Sequence, residues 1–396
     1  MTSRRPTPGS QTSLREANRA RIVDSLKLHG RLTQVELAGV TGLSPATVSN
    51  IVKELSGSGV LATSAASRSG RRAVEVSLAR QLGLVVGLHF SSRHLRIAVA
   101  DVARTVVAEN TVPLALEHRY DRELDRSALL LSDMLDTVGA STSDILAVGL
   151  ALPAPIDQET GTVSAPGTLR GWENARIREE LESRLQRPVH VDSDANTGAL
   201  AEYRFGAGVG ARGMAYLRVG HTISGALVIG GEIFRGTTGK AGQIGHVSID
   251  ENGPICRCGS RGCLETLAGG PALLELFRGD PGMQRLRDLL ARAEAGDASS
   301  RRVIADAGRH IGIAAANLAN LVDPDVIVIG GELAGAGETL IAPLRHALER
   351  SALTGLDEGP NIVQGTLGER AELLGALALA IDNVGVGEPL VSTLGA

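Results

Sequence analysis

Seven short apolar runs occupy the chain after Leu78: LGLVVGLHF, LRIAVADV, ILAVGLAL, PVHVDSDA, GMAYLRVG, GALVIGG and PDVIVIGG. Each is rich in Val and Ile and reads as a strand. Helical stretches lie between them, at 121–138, 175–185, 271–277, 282–295, 300–321 and 338–353. Strands mixed with helices, punctuated by 49 glycines, predict an α/β body. A chain of 396 residues exceeds one ordinary core, and two α/β lobes fit in roughly 310 residues.

The first 80 residues differ in charge. They carry 12 Lys/Arg against 5 Asp/Glu, a net of +7; the whole chain is −4, which leaves −11 for the rest. A basic head on an acidic body suits a polyanionic partner, although a solvated basic surface gives the same balance. The helix signals are specific. A first helix runs from Ser13 to His29, with Leu14, Ala17, Ile22 and Leu26 as its apolar pattern and Gly30 as its stop. Thr33 with Glu36 predicts a capping box for a second, through Val35 and Leu37 to Gly42. Ser44 as N-cap and Pro45 at the first turn open a third. Its stripe Val48, Ile51, Val52, Leu55 turns inward, leaving Ala46, Thr47, Ser49, Asn50 and Lys53 outside. Two β-prone runs around a tip with Arg68, Arg71 and Arg72 follow as a wing.

This is a winged helix-turn-helix over 13–80, after a Pro/Ser/Arg-rich tail, 1–12, expected to be disordered. Small polar groups let a helix sit deep in the major groove of double-stranded DNA. Asn50 suits adenine, Thr47 and Ser49 suit base or phosphate, and the wing arginines suit phosphates or a minor groove; Ser44 and Lys53 complete the expected DNA face. A three-helix protein-interaction module is the alternative. Aromatic residues are only 2%, which counts against base stacking on single strands. No apolar run is long enough for a membrane span and the basic N-terminus lacks an apolar core, so the expected location is the cytoplasm.

All three cysteines fall within GHVSIDENGPICRCGSRGCLE. Cys256, Cys258 and Cys263, with His246 upstream, offer three sulfurs and one nitrogen, the closed tetrahedral set of a structural zinc ion (Zn2+). The alternative is three unconnected thiols. The edges of this loop are polar, with Gln243 before it and Glu265 after it. Asp192 and Asp194 stand where a strand leads into a helix, the end of α/β folds that binds ligands. Carboxylates and amides that accept hydroxyl hydrogen bonds suit a sugar, while a helix cap or solvated charge accounts for either acid alone.

These residues resemble the ROK family, which groups bacterial sugar kinases with sugar-responsive repressors. AGQIGH…CRCGSRGCLE is similar to its signature, and LPAPIDQETGTV, GWEN, RPVHVDSDANTGALAEYRFG and PDVIVIGGELA extend the likeness over most of 82–385. The head is similar to those of the family's regulators for xylose, N-acetylglucosamine and glucose utilisation. The resemblance implies a two-lobed actin-like, sugar-kinase-type fold: a smaller lobe at 82–190 plus 376–396 and a larger one at 191–375. It implies His246, Cys256, Cys258 and Cys263 as zinc ligands, and a sugar site of Ser193, Asp194, Gln243, His246 and Glu265. Asp194 matches the kinases' catalytic base, Ser193 replaces an Asn and Gln243 replaces a Glu.

Both phosphate loops depart from the kinases. HFSSR, His89 to Arg93, stands where they have Asp-x-Gly-Gly-Thr, and GHTIS, Gly220 to Ser224, where they have Gly-Thr-Gly-Ile-Gly. Serine side chains block close backbone approach to phosphate, and phosphoryl transfer depends on that positioning. The expectation is a sugar-responsive repressor, a homodimer or tetramer on operator DNA, with Asp194 vestigial and no kinase activity. An active sugar kinase, or a regulator controlled by a protein partner, are the alternatives.

Overall fold

The computed structural model describes residues 11–68, 71–115, 118–165, 168–353 and 359–385. The head comprises α1 (Gln11–His29), β1 (Leu32–Thr33), α2 (Gln34–Thr41), α3 (Pro45–Gly57), β2 (Leu61–Arg68) and β3 (Arg71–Leu78). Its caps follow the sequence. The Glu36 amide donates to Thr33 Oγ1 at 3.2 Å while the Thr33 amide donates to Glu36 Oε2 at 2.8 Å. The Thr47 amide donates to Ser44 Oγ at 3.1 Å. Gly42, at φ +67, ends α2 in the left-handed turn that suits glycine. The sheet order is β1-β3-β2, all antiparallel. Residues 1–10 of the expected tail lie outside the described residues, and Gln11 is already helical.

The body holds two five-stranded sheets of the same topology. In the first lobe, β4 (Leu84–Phe90), β5 (His94–Asp101), β6 (Val106–Pro113), α4 (Tyr120–Thr137), β7 (Ile145–Leu152), α5 (Ile177–Leu185) and β8 (Val189–Ser193) form the order β6-β5-β4-β7-β8. Next come α6 (Asp194–Phe205), β9 (Gly213–Val219), β10 (Ile223–Ile229), β11 (Glu232–Ile233), α7 (Glu265–Ala268), α8 (Gly270–Glu275), α9 (Leu286–Glu294), α10 (Ala298–Val322), β12 (Val326–Gly330), α11 (Glu338–Ser351), β13 (Asn361–Gln364) and α12 (Ala371–Asp382). Their sheet order is β11-β10-β9-β12-β13. In each sheet the first three strands are antiparallel and the last two add in parallel. That repeat is the duplicated α/β lobe of the expected actin-like fold. Strand β8 ends the first sheet at Ser193, and α12 begins at Ala371.

α12 closes the first lobe from the far end of the chain. It packs on β4 and β7 so closely that a Cβ on Gly149 would fall 1.9 Å from the Ala376 carbonyl oxygen. The head shares a core with this layer: Ile22, Leu26, Leu37 and Val76 belong to one buried cluster with Val85, Leu377 and Ile381. Leu14 and Val35, apolar markers of the predicted helices, are exposed instead; α1 buries Ile22, Val23 and Leu26. None of the helices among the described residues is long and apolar enough to cross a membrane.

Candidate functional site

On the head, α3 buries Val48, Ile51, Val52 and Leu55 and leaves Ala46, Ser49, Asn50 and Lys53 exposed. Thr47 is half-buried, and Ser44 is exposed but committed to the cap. Sequence reading missed α1's share of this face. Arg15 Nε donates to Glu54 Oε2 at 3.2 Å and Arg19 pairs with the same carboxylate, which neutralises the one acid on α3. Arg15 and Asn18 border a groove with Thr47, Asn50 and Lys53. The wing strands pair out to Arg68 opposite Arg71. The tip, 69–70, and the side chains of Arg68, Arg71 and Arg72 lie outside the described residues.

The body's pocket lies where both lobes meet. Its walls are the Pro153–Pro155 turn after β7, Ser193 and Asp194 at the start of α6, Thr222 just before β10 with Ile223 and Ser224 on it, and Gln243, His246, Arg257 and Glu265. Counting space open to solvent it holds about 340 Å³. All five residues expected to meet a sugar therefore converge. Two glycines press the Gln243–His246 turn onto β10. A Cβ on Gly242 would fall 2.0 Å from the Gly225 carbonyl oxygen, and one on Gly245 2.1 Å from that of Ile223.

Each acid has a partner. Asp192 accepts from the Ser193 amide at 2.8 Å and from Asn196 Nδ2 at 2.7 Å, and pairs with Arg235 at 2.7 Å, so it braces the strand end. Asp194, 3% exposed, sits 3.2 Å from Arg218 Nε, which also holds Glu372 at 3.0 Å. Burial pushes the Asp194 carboxyl up to about 6 against the pull of Arg218. Glu265 Oε1 pairs with Arg257 at 3.0 Å, and its Oε2 accepts from the Ile223 amide at 3.1 Å. Ser193 Oγ accepts from the Asn196 amide at 3.1 Å, and its own proton stays available. Arg218 and Arg257 were not singled out from the sequence. A cation between two candidate metal ligands was a readable signal for the second.

The knot adjoins this pocket. Ligand atoms of His246, Cys256, Cys258 and Cys263 all lie within 4.8 Å of one another. Two short bridges, Ser248 to Cys263 and Ile255 to Arg261, fold the loop back on itself. Gly262, at φ +63, packs where a Cβ would fall 1.5 Å from the Asp250 carbonyl oxygen. Burial, with Cys258 and Cys256 adjacent, pushes the Cys263 thiol up to about 12. Three thiolates this close need a cation beside them, so the donor set fits a metal ion.

The first of the two altered loops is closed by its own side chain. Ser91 Oγ accepts from the amides of Arg93 at 3.3 Å and His94 at 3.0 Å, closing the turn after β4. His89 is 2% exposed, and burial with Arg218 nearby holds its pKa well below the ordinary value. The Gly330–Gly331 turn keeps its glycine for a backbone reason: Gly331 has φ +82 and a Cβ there would sit 2.5 Å from the Val219 carbonyl oxygen.

Comparison with known proteins agrees with this geometry. The ROK family pattern matches residues 85–383 and a winged helix-turn-helix DNA-binding pattern matches 15–61. A putative xylose repressor of Caldicellulosiruptor sp. (strain Rt8B.4) is 27% identical over 392 residues, 95% of this chain and 98% of its own. A glucokinase of Halalkalibacterium halodurans is 32% identical over 313 residues, 73% of this chain and 92% of its own. In fold, a crystal structure of a ROK family transcriptional regulator, a homologue of the E. coli MLC protein, matches with a TM-score of 0.75 at 23% identity, covering 92% of this chain and 96% of that one. With two duplicated α/β lobes, the His/Cys knot beside the interlobe pocket and a winged helix-turn-helix ahead of them, the chain belongs to the ROK family.

Proposed function

We propose that this protein is a sugar-responsive DNA-binding repressor of carbohydrate genes that has lost kinase activity. The observation that carries this is Arg218. It pairs with Asp194, the residue in the place of the kinases' base, while an exposed recognition helix is present at the other end of the chain. A guanidinium on that carboxylate competes with proton abstraction from a sugar hydroxyl but leaves an oxygen able to accept a hydrogen bond. Ser193, Asp194, Gln243, His246 and Glu265 bind the sugar, with Thr222 and Arg257 beside them. Ala46, Thr47, Ser49, Asn50 and Lys53 meet DNA, flanked by Ser44, Arg15 and the wing arginines Arg68, Arg71 and Arg72. His246, Cys256, Cys258 and Cys263 hold a zinc ion, which supplies loop rigidity rather than chemistry. The protein works in the cytoplasm as a homodimer or tetramer, placing two heads on a roughly palindromic operator.

Fluorescence anisotropy tests this reading, with DNA from upstream of the protein's own coding region and D-xylose, D-glucose, N-acetylglucosamine and their phosphates titrated in. Release by one sugar supports it, and tight binding that none alters removes the sugar switch. The likeness to a glucokinase gives the kinase reading its own test. ATP with each sugar should yield no ADP above background, and sugar-dependent ADP lost in Asp194→Asn would reverse the assignment.

The Asp194 shift sets a pH dependence. Its carboxyl ordinarily titrates near 3.8 and in the fold near 6. Between these values the folded state holds a proton the unfolded chain has released, so this group's contribution to stability falls as pH rises through that window. Sugar binding runs the other way. Below about pH 6 the protonated carboxyl loses its charge-assisted acceptor, so calorimetric sugar affinity should be weaker at pH 5 than at pH 7.5. Equal affinities at both would remove Asp194 from the sugar contacts.

A further inference from the structure

One helix joins the pocket to the seat of the DNA-binding head. α6 begins at the pocket with Ser193 as its cap and Asp194 as its first residue, and its twelve residues span about 18 Å. Asp194 through Glu202 are all buried. Packing on both sides is backbone-close. A Cβ on Gly198 would meet the Tyr216 ring at 2.8 Å, and one on Gly375 of α12 would fall 1.8 Å from the Thr197 carbonyl oxygen. The Glu202 carboxylate accepts from the amides of Ala207 at 2.8 Å and Leu367 at 2.9 Å, tying the end of α6 to the loop before α12. Contacts this dense transmit a displacement rather than absorb it.

At its far end α6 meets residues of the first lobe and α12 that themselves contact the head. Arg204 forms a two-pronged pair with Asp382 of α12, both contacts 2.7 Å. Phe205 lies under the Arg104 guanidinium, 4.6 Å from ring centroid to Cζ. Arg104 donates to the Lys27 carbonyl in the last turn of α1. The Lys27 ammonium, in a residue 8% exposed, donates to the carbonyls of Val384 at 2.6 Å and Asp382 at 3.4 Å. Among the described residues, the carboxylates paired with these three cations are Asp382, held by Arg204, and the exposed Asp24, 3.7 Å from Lys27. Burial and the nearby Arg204 push Arg104 down to about 10. Arg104 also has φ +70, a left-handed backbone that side-chain-bearing residues seldom adopt. A strained backbone and a desolvated cation at one residue make a junction that small shifts can tip.

We infer that Arg104 and Arg204 are positioning residues, which set the orientation of the DNA-binding head according to whether the pocket at the other end of α6 is occupied. This rests on the sugar-sensing reading above. A ligand that draws Ser193 and Asp194 moves α6 and its partner α12. Arg204 and Phe205 then shift beneath Arg104 and Asp382, and α1 follows through Lys27. Neither arginine lines the pocket or belongs to the DNA face.

The test separates coupling from binding. In the full-length protein, anisotropy gives operator affinity with and without each sugar named above, and calorimetry gives sugar affinity alone. The wild-type ratio of the two operator affinities should lie at about 5–150-fold. Arg204→Gln and Arg104→Ala should bring that ratio close to one while sugar affinity and sugar-free operator affinity hold. Arg104→Lys, which keeps the charge, should restore part of it. If Arg104→Ala fails to fold, Arg204→Gln decides. Variants that keep the wild-type ratio overturn the inference by itself. A wild-type protein that no sugar releases overturns the sugar-sensing reading, and this inference with it.

Discussion

Cys258→Ser should strip the knot of its metal and remove the sugar response in one step. Cys258 is exposed, so the smaller hydroxyl fits without repacking. Even outer-shell changes around a metal cost about 10–100-fold in affinity, and loss of a thiolate ligand should exceed that. The consequence for the pocket follows from Arg257, which lies between two ligands and pairs with Glu265 at 3.0 Å. With the loop released, Arg257 no longer holds Glu265, and His246 loses its place in the wall. Metal analysis should fall from an ion per chain to near none. Operator release at saturating sugar should be lost while sugar-free operator binding persists. Normal release from metal-free protein would show that the knot and the pocket work independently.

Asn50→Ala should weaken operator binding by about 1–3 kcal/mol, roughly 5–150-fold, with little change on unrelated DNA. Asn50 is exposed on α3 beside Ser49 and Lys53, and its side chain is free to offer a donor and an acceptor to one base edge. Lys53→Ala acts differently, since a lost phosphate contact weakens all sequences alike and lowers the salt dependence. Measuring both variants on operator and scrambled duplexes at two salt concentrations separates the roles. Equal losses on both duplexes for Asn50→Ala would assign it to the backbone.

What was legible in the sequence was what is local in the chain. The caps at Thr33 and Ser44 act within three residues, and the knot spans Gly245 to Glu265, so spacing alone exposes both. The Arg218 clasp was not legible, because Asp194, Arg218 and Glu372 come from α6, β9 and α12 and meet only when the lobes fold together. α12 itself escaped for the opposite reason. Ten of its twelve residues are buried, so its sequence, AELLGALALAID, lacks the polar face that gives a helix its period. β6, mostly exposed on a sheet edge, is too polar to stand out as a strand. Leu14 and Val35 misled as apolar markers because α1 and α2 turn those sides to solvent.

The placement of α12 has a consequence for the order of synthesis. The DNA-binding head is synthesised well before α12, yet the surface it rests on includes Leu377 and Ile381 of that helix. β4 and β7 wait for the same helix. A nascent chain can form the local head motif, but it cannot fix that head in its working orientation until α12 has been made. Premature termination before Ala371 would therefore release a DNA-binding module without the body's control over it.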